Sequence, residues 1–181
     1  MVNKFDSLVD DVPVKHGIAP IVSKNCRILL LGSMPSESSL SKQEYYGHPQ
    51  NSFWSIMQTF THVASKSPYP ERVQSLHNAG IGVWDVIASC VRPGSLDSRI
   101  SAASISVNPL IELILQHPEL QLIGLNGGKA FELFQRHFIK TNLLPSAIKY
   151  AKLPSTSPAH TMLKQEKVVL WQQHLLPFVG S

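Results

Sequence analysis

Cysteine is scarce in this sequence, which contains only two in 181 residues, Cys26 and Cys90. Two cysteines this far apart make neither a disulfide framework nor a Cys-x-x-Cys metal or redox pair. The eight histidines are dispersed, and no His-Glu-x-x-His motif or cysteine–histidine cluster occurs. The sequence therefore argues against a zinc site and a disulfide-stapled secreted domain. We expect two reduced, mostly buried thiols and no bound metal.

Long apolar runs and charged residues are scarce as well. The apolar run at residues 28–31 is far too short for a membrane helix, which needs about 20 residues. Charged residues make up 15% of the chain and hydrophobic residues 43%, whereas a disordered chain would have fewer apolar residues and more charge. The first residues contain no apolar signal core, so we expect a cytoplasmic protein.

The length and the charge balance narrow the possibilities further. A chain of 181 residues suits one domain with a sizeable core, so we expect a single domain over 1–181, with 1–25 as a loosely structured lead-in. Lysine and arginine exceed aspartate and glutamate by 16 to 12, a formal charge of +4. This mild basicity is compatible with nucleic acid binding and equally with ordinary solvated surface.

Short apolar runs alternate with helical patterns along the chain. The runs predict strands at residues 27–31, 81–87, 122–125 and 148–153. The apolar spacing and the cap residues predict helices at 51–60, 70–78, from 108 onward, from about 128 to 138 and from 162 to 176. Strands separated by helices imply a parallel sheet covered on both faces, with polar loops such as residues 89–106 between the elements.

Polar and small residues follow each predicted strand, where open α/β folds bind their ligands. The densest of these segments is residues 45–54, which read YYGHPQNSFW. A flat aromatic ring beside small residues suits a stacked base, so Tyr45 or Tyr46 could be a platform, although both rings could instead pack outside the sheet. Asn51 could cap the next helix and still be held in a fixed orientation for a second role.

Five ordered segments together resemble one family. They are residues 32–36 (GSMPS), 45–54 (YYGHPQNSFW), 84–90 (WDVIASC), 126–130 (NGGKA) and 153–159 (LPSTSPA). This combination resembles the hypoxanthine-DNA (deoxyinosine) glycosylases, a branch of the uracil-DNA glycosylase superfamily, from Arg27 to the C-terminus. The resemblance implies an α/β fold, a three-layer α/β/α sandwich around a short, mainly parallel four-stranded sheet. It also implies hydrolysis of the N-glycosidic bond of a deaminated base in DNA.

The resemblance assigns expected roles to particular residues. Asn51 matches the asparagine that this branch is thought to use in catalysis, where its amide would orient a water or bond to the departing base. Tyr46 aligns with the aromatic that covers the flipped base. The expected base pocket comprises Gly32, Ser33, Met34, Tyr46, His48, Ser89 and Asn126. The expected DNA contacts are Arg92, Lys129, Ser155, Thr156, Ser157 and His160.

Three details of the sequence qualify these roles. Met34 stands where better-known superfamily members place an Asp or Asn that holds the water, a departure shared with the deoxyinosine branch. His160 stands where the branch usually has Asn, and it could meet a phosphate or simply lie on the surface. For Asp97, in the loop after the second predicted strand, a turn or local cap is favoured over a role in the site. Two cysteines cannot build the four-cysteine iron–sulfur cluster of some relatives.

The expected protein is a monofunctional DNA glycosylase acting on deoxyinosine, and also on uracil or xanthine, in base excision repair. No lysine in the motifs is placed to form a Schiff base, so no strand cleavage is expected. The reaction would need no cofactor, and the partner would be DNA containing deaminated bases, bound by a monomer. Two alternatives stay open: a non-catalytic DNA-binding module of the same fold, and a hydrolase of free nucleosides or RNA.

Overall fold

The computed structural model describes residues 12–179 of the chain. Helices and strands alternate from Ser106 onward, whereas before it three consecutive helices separate two groups of strands. In chain order the elements are β1 (Val14–His16), β2 (Ile28–Gly32), α1 (Glu37–Lys42), α2 (Phe53–Thr61), α3 (Tyr69–Ala79), β3 (Ile81–Asp85), β4 (Ile87–Val91), β5 (Ser106–Val107), α4 (Leu110–Gln116), β6 (Leu122–Asn126), α5 (Gly128–Phe134), β7 (Lys149–Leu153) and α6 (Lys164–Leu175).

The larger sheet has four parallel strands in the order β3-β2-β6-β7. Every residue of β2 and of β3 is buried. Successive strand residues point to opposite faces, so burial of all of them means that helices cover the sheet on both sides. The predicted α/β sandwich around a short parallel four-stranded sheet is therefore confirmed.

Aromatic side chains join α2 to the helices packed beside it. The buried Phe53 ring meets Trp54 edge-on at 5.1 Å and Trp171 of α6 at 6.2 Å between centroids. Trp54 in turn packs edge-on against Tyr69, the first residue of α3, at 5.9 Å. Such edge-to-face pairs are favourable beyond the apolar area they bury. This packing fixes the position of α2, whose first turn lies at the candidate site.

A second, three-stranded sheet in the order β1-β4-β5 is antiparallel, and the sequence pattern did not predict it. The apolar run predicted as one strand at 81–87 is two strands, β3 and β4, which belong to different sheets and are separated only by Val86. The stretch 89–106, predicted as a loop, begins inside β4 and ends in β5. Continuous apolarity cannot reveal such a switch, because Val86 and Ile87 are as apolar as the strand before them.

The beginning of the described chain is also more regular than expected. The predicted lead-in covers residues 1–25, of which 1–11 lie outside the described residues. In the remainder, β1 pairs with β4, and Ile21 exchanges backbone hydrogen bonds with Val83 at 2.8 and 2.9 Å. Residues 14–16 and Ile21 therefore pair with strands of the two sheets, which is a more regular structure than the loose lead-in that the sequence predicts.

The carboxyl ends of the parallel strands lie together at one edge of the larger sheet. Gly32 at the end of β2 is in register with Asp85 at the end of β3. Asn126 at the end of β6 is in register with Leu153 at the end of β7. The segments that follow these four residues are those in which the sequence predicts chemistry, and the fold brings them to one place.

Candidate active site

A cavity of about 370 Å³ opens at this carboxyl edge. The ends of β2, β3 and β6, the loop before α2 and the loop after β7 form its wall. The predicted site residues that it brings together are Gly32, Ser33, Met34, Tyr46, Asn51, Asn126, Lys129, Ser155, Thr156, Ser157 and His160. Segments far apart in sequence thus converge on one concave surface, where polar side chains lie beside apolar area, as expected of a ligand site.

Tyr46 is held over this cavity in a strained backbone conformation. Its φ of 53° lies in the left-handed region, which is unfavourable for a residue with a large side chain. The ring stacks on Phe53 with 3.9 Å between centroids and 19° between planes. Because Phe53 covers one face of the ring, only the opposite face is available to a flat ligand. Burial raises the pKa of the Tyr46 hydroxyl well above its ordinary value, so the group stays protonated.

Asn126 joins Tyr46 to the loop that follows β7. Its Nδ2 donates hydrogen bonds to the Tyr46 hydroxyl at 3.1 Å and to Thr156 Oγ1 at 2.9 Å. Its Oδ1 accepts a hydrogen bond from the Thr156 N–H at 3.0 Å. Both amide protons are used within the protein, so neither is free for a base. Asn126 therefore acts as a positioning residue, which differs from the direct base contact that the sequence predicts.

Thr156 supports the 154–160 loop from inside, with its side chain buried. Its side chain is 1% exposed, and its carbonyl accepts hydrogen bonds from the Ser52 N–H at 3.0 Å and the Ser52 hydroxyl at 3.2 Å. Gly127 permits this arrangement, since a Cβ on it would lie 3.0 Å from the Cβ of Ser155, and its φ is 97°. The expected DNA contact through Thr156 is therefore corrected to a structural role. Ser155 and Ser157 are only half-buried, so their positions are compatible with the predicted DNA contacts.

Helix α6 anchors both ends of the 154–160 loop. The buried Trp171 donates its indole N–H to the Pro154 carbonyl at 2.9 Å. Lys167 donates from Nζ to the His160 carbonyl at 3.1 Å. The exposed His160 side chain lines the cavity mouth, so its location is compatible with the predicted DNA contact.

The amide of Asn51 uses its oxygen in a hydrogen bond within the protein and leaves its NH₂ group available. Its Oδ1 accepts a hydrogen bond from the Phe53 N–H at 2.9 Å, at the first turn of α2. The N-cap residue of α2 is Ser52, so this contact is a local turn that begins one residue before the cap position, and not the predicted cap. Its Nδ2 has no hydrogen-bond partner within residues 12–179. Asn51 lines the cavity, so the fixed oxygen leaves the NH₂ group as a positioned donor at its edge.

Arg92 is the clearest correction among the predicted DNA contacts. Its side chain is completely buried, so it does not reach a phosphate. The guanidinium donates to the carbonyls of Pro35, Met34 (3.4 Å) and Gly94 (3.1 Å). Buried arginine requires such acceptors. Arg92 therefore fixes the loop after β2, including the cavity residue Met34, instead of binding DNA.

Two further predicted pocket residues lie outside the cavity. Ser89 is inside β4, where it pairs with residues of β1 and β5 in the second sheet. His48 lies in an adjoining groove of about 340 Å³, and its Nδ1 accepts a hydrogen bond from the Gln50 N–H at 3.2 Å. Tyr46 and Asn51 line both the groove and the cavity. The basic members of the groove are Lys42, Lys66 and Arg72.

Two carboxyl groups in the cavity have no assigned role in the sequence prediction. Asp97, expected to serve a turn, accepts a hydrogen bond from the Ser33 hydroxyl at 2.7 Å, and burial raises the pKa of its carboxyl. Asp85 is 4% exposed, and burial together with the charge of Asp97 raises its pKa to about 7, against a partial opposing effect of Arg92. Its place at the end of a parallel strand was the signal that could have identified it.

Residues 12–179 contain no group of three or more His, Cys, Asp or Glu side chains arranged to hold a metal ion. In the same range, none of the helices combines the length and apolarity that crossing a membrane requires.

The fold and the site define an α/β protein with a cavity at the carboxyl edge of its sheet, bordered by an aromatic ring and a fixed amide. A family model described as the Uracil DNA glycosylase superfamily matches residues 19–175. The chain belongs to this superfamily.

Similar proteins include two curated relatives, both called hypoxanthine DNA glycosylase. The protein from Methanosarcina acetivorans is 36% identical over 139 residues, which cover 74% of this chain and 86% of the relative. The protein from Methanosarcina barkeri is 34% identical over 119 residues, which cover 65% of this chain and 74% of the relative. The solution NMR structure of a Methanosarcina acetivorans protein, assigned provisionally as a uracil DNA glycosylase, has a TM-score of 0.74 at 32% identity, covering 90% of this chain and 96% of that one.

Proposed function

We propose that this protein is a DNA glycosylase that hydrolyses the N-glycosidic bond of deoxyinosine in DNA and releases hypoxanthine. The observation that carries the proposal is the placement of the Asn51 amide at the edge of a cavity bordered by Tyr46. The relatives named for hypoxanthine support the choice of base. Uracil and xanthine are proposed as further substrates, because both carry the same ring N–H beside a carbonyl.

A base inside a duplex is out of reach, so the target nucleotide must rotate out of the stack into the cavity. The free face of Tyr46 then stacks on the base, an interaction worth about 1–3 kcal/mol per base in other proteins. The 154–160 loop, anchored by α6, lies beside the cavity mouth and holds the strand around the flipped nucleotide. Ser155, Ser157, His160 and Lys129 are the proposed contacts to its phosphates.

The reaction forms a bond between a water oxygen and the anomeric carbon and breaks the bond from that carbon to N9 of the base. The Nδ2 group of Asn51 orients the water or bonds to the base as negative charge develops on it. The first loop offers only Met34 at the place where other superfamily members carry a water-holding residue. Asn51 therefore carries more of the positioning in this protein.

The direct test is a panel of duplex oligonucleotides that contain hypoxanthine, uracil or xanthine at one position. We expect release of the base and an abasic site, which breaks only after alkali because the enzyme is monofunctional. No release from any of the three at high enzyme concentration would reject the function. DNA binding without product would instead indicate the non-catalytic module.

Substitution of Asn51 tests its assigned role. We expect Asn51→Ala to lower the single-turnover rate constant by about 100-fold or more, as loss of a positioned donor does elsewhere. Asn51→Ser retains an acceptor for the Phe53 N–H but lacks the amide, so it should be nearly as stable as wild type and equally slow. Asn78→Ala on the exposed face of α3 is the matched control. If Asn51→Ser reacted as fast as the wild type, the role of Asn51 would be limited to its hydrogen bond with the Phe53 N–H.

We propose further that the enzyme acts as a monomer, which light scattering of the purified protein with and without DNA would test. The cytoplasmic location expected from the sequence stays a prediction.

A further inference from the structure

The carboxyl group of Asp85 is the least explained polar group in the cavity wall. It belongs to the last residue of β3 and lies against Gly32, the last residue of β2. A Cβ on Gly32 would fall 2.5 Å from Asp85 Oδ1, so glycine at this position makes room for the carboxyl. Asp85 Oδ2 is buried and has no hydrogen-bond partner within residues 12–179. A buried polar atom without a partner is costly unless a ligand completes it.

The groups that face Asp85 do not favour a negative charge there. Asp97, from the loop after β4, raises its pKa, and the nearby Tyr45 and Tyr46 hydroxyls carry no charge at neutral pH, because burial raises the pKa of both. Arg92 is the cation on this side, but its guanidinium donates to backbone carbonyls and forms no salt bridge with Asp85. A carboxyl in these surroundings holds its proton to about pH 7 and can act as a hydrogen-bond donor.

We propose that protonated Asp85 is a further catalytic residue, which donates its proton to the departing base while Asn51, which lines the same cavity, positions the reaction. This assignment rests on the proposed function. As the bond from the anomeric carbon to N9 breaks, its electron pair moves onto the purine ring, and a ring heteroatom of hypoxanthine takes the proton from Asp85. The water that bonds to the anomeric carbon loses one proton, and this proton returns the Asp85 carboxylate to its acid form through solvent.

The opposite assignment makes a different prediction. An ionised Asp85 would act as general base and draw a proton from the attacking water, so the rate would rise with pH through neutrality. A protonated donor gives a rate that is constant at low pH and falls as Asp85 ionises. The direction of the pH dependence therefore separates the two roles without any variant.

The experiment measures single-turnover rate constants between pH 5.5 and pH 9 at saturating enzyme on a duplex containing hypoxanthine. For the wild type we expect a plateau below about pH 7 and a tenfold fall per pH unit above it. Asp85→Asn keeps a hydrogen-bond donor but has no proton to transfer, so its rate near pH 6.5 should fall by about 100-fold, the lower range for general acid catalysis, and its falling limb should vanish. Asp85→Ala lacks the donor as well and should be at least as slow.

Asp97→Asn is the matched control, because it removes the neighbouring charge and leaves Asp85 in place. Its falling limb should persist and move to lower pH, since the Asp97 charge raises the Asp85 pKa. A wild-type rate that is flat or rises through pH 7 would overturn the assignment even if Asp85→Asn failed to fold. An unchanged falling limb in folded Asp85→Asn would overturn it too. Absence of any base release by the wild type would instead reject the proposed function.

Discussion

At the scale of single residues, the side chains of the site are held in place by hydrogen bonds from some of their polar atoms, and the remaining polar atoms are available for the reaction. Asn51 uses its oxygen at the start of α2, and Asn126 uses its whole amide to hold Tyr46 and the 154–160 loop. Such fixed groups need little rearrangement during the reaction, which is the main advantage of a preorganised site. Asp85 differs from both, because it is buried with one oxygen unsatisfied.

The pKa of Asp85 links this residue to the stability of the fold. Its carboxyl binds a proton more tightly in the folded state, with a pKa of about 7, than in the unfolded chain, where 3.8 is the ordinary value. The folded state thus loses stability as the pH rises from about 4 to about 7, by up to a few kcal/mol in total. Asp85→Asn lacks this titration. The melting temperature of the variant minus that of the wild type should therefore be larger at pH 8 than at pH 5. An equal difference in melting temperature at the two pH values would show that Asp85 is not buried as a neutral acid.

The structure places some of the predicted site residues at the cavity and others away from it, and the reasons can be identified. Met34 follows a strand, Tyr46 and Asn51 belong to the loop between α1 and α2, and all three line the cavity, because a resemblance over ordered motifs places such segments well. Arg92 and Thr156 were assigned to DNA by the resemblance and by the loops they belong to, yet both are buried by contacts with distant segments. Composition does not reveal those tertiary contacts, so the direction of a side chain in a loop cannot be predicted from it.

At the scale of elements, the helix α6 controls the loop that borders the cavity. Its face toward the loop carries Lys167 and Trp171, which hold the carbonyls at the two ends of residues 154–160. The sequence predicts this helix but not its contacts with the loop. It also predicts one strand at 81–87, because an apolar pattern does not show that the chain passes from one sheet to the other at Val86.

Lys167→Met tests the anchoring by α6. Methionine can replace the buried stem of the lysine but cannot donate to the His160 carbonyl, so the loop should become less ordered. We expect a several-fold weaker affinity for hypoxanthine-containing duplex, with a rate at saturating enzyme within about threefold of wild type. Lys164→Met, on the exposed face of the same helix, removes the same charge and serves as control. Equal losses in the two variants would show that charge, not the loop, accounts for the effect.

At the scale of the whole molecule, the formal charge of +4 is small for a protein that acts on DNA. Several of the basic side chains lie near the site: Lys129 at the cavity, and Lys42, Lys66 and Arg72 in the adjoining groove. Arg72 is already held over Trp54, with its guanidinium carbon 4.6 Å from the ring centroid. Lys42 and Lys66 are both exposed, but Lys42 donates to the Gly47 carbonyl at 2.9 Å, whereas Lys66 has no hydrogen-bond partner among residues 12–179.

This distribution predicts weak, salt-sensitive binding with few phosphate contacts. Each contact contributes about −0.9 to the slope of log affinity against log salt on duplex DNA. We expect Lys66→Ala and Lys129→Ala each to make the slope less negative by about 1, whereas Lys24→Ala, an exposed lysine that lines neither the cavity nor the groove, should leave it unchanged. Fluorescence anisotropy measures these slopes with a hypoxanthine-containing duplex. Salt is varied between roughly 50 and 200 mM, the range over which such contacts are resolved. If all three variants gave the wild-type slope, the strand would follow another path across the protein, and the groove beside Tyr46 and Asn51 would not be its continuation.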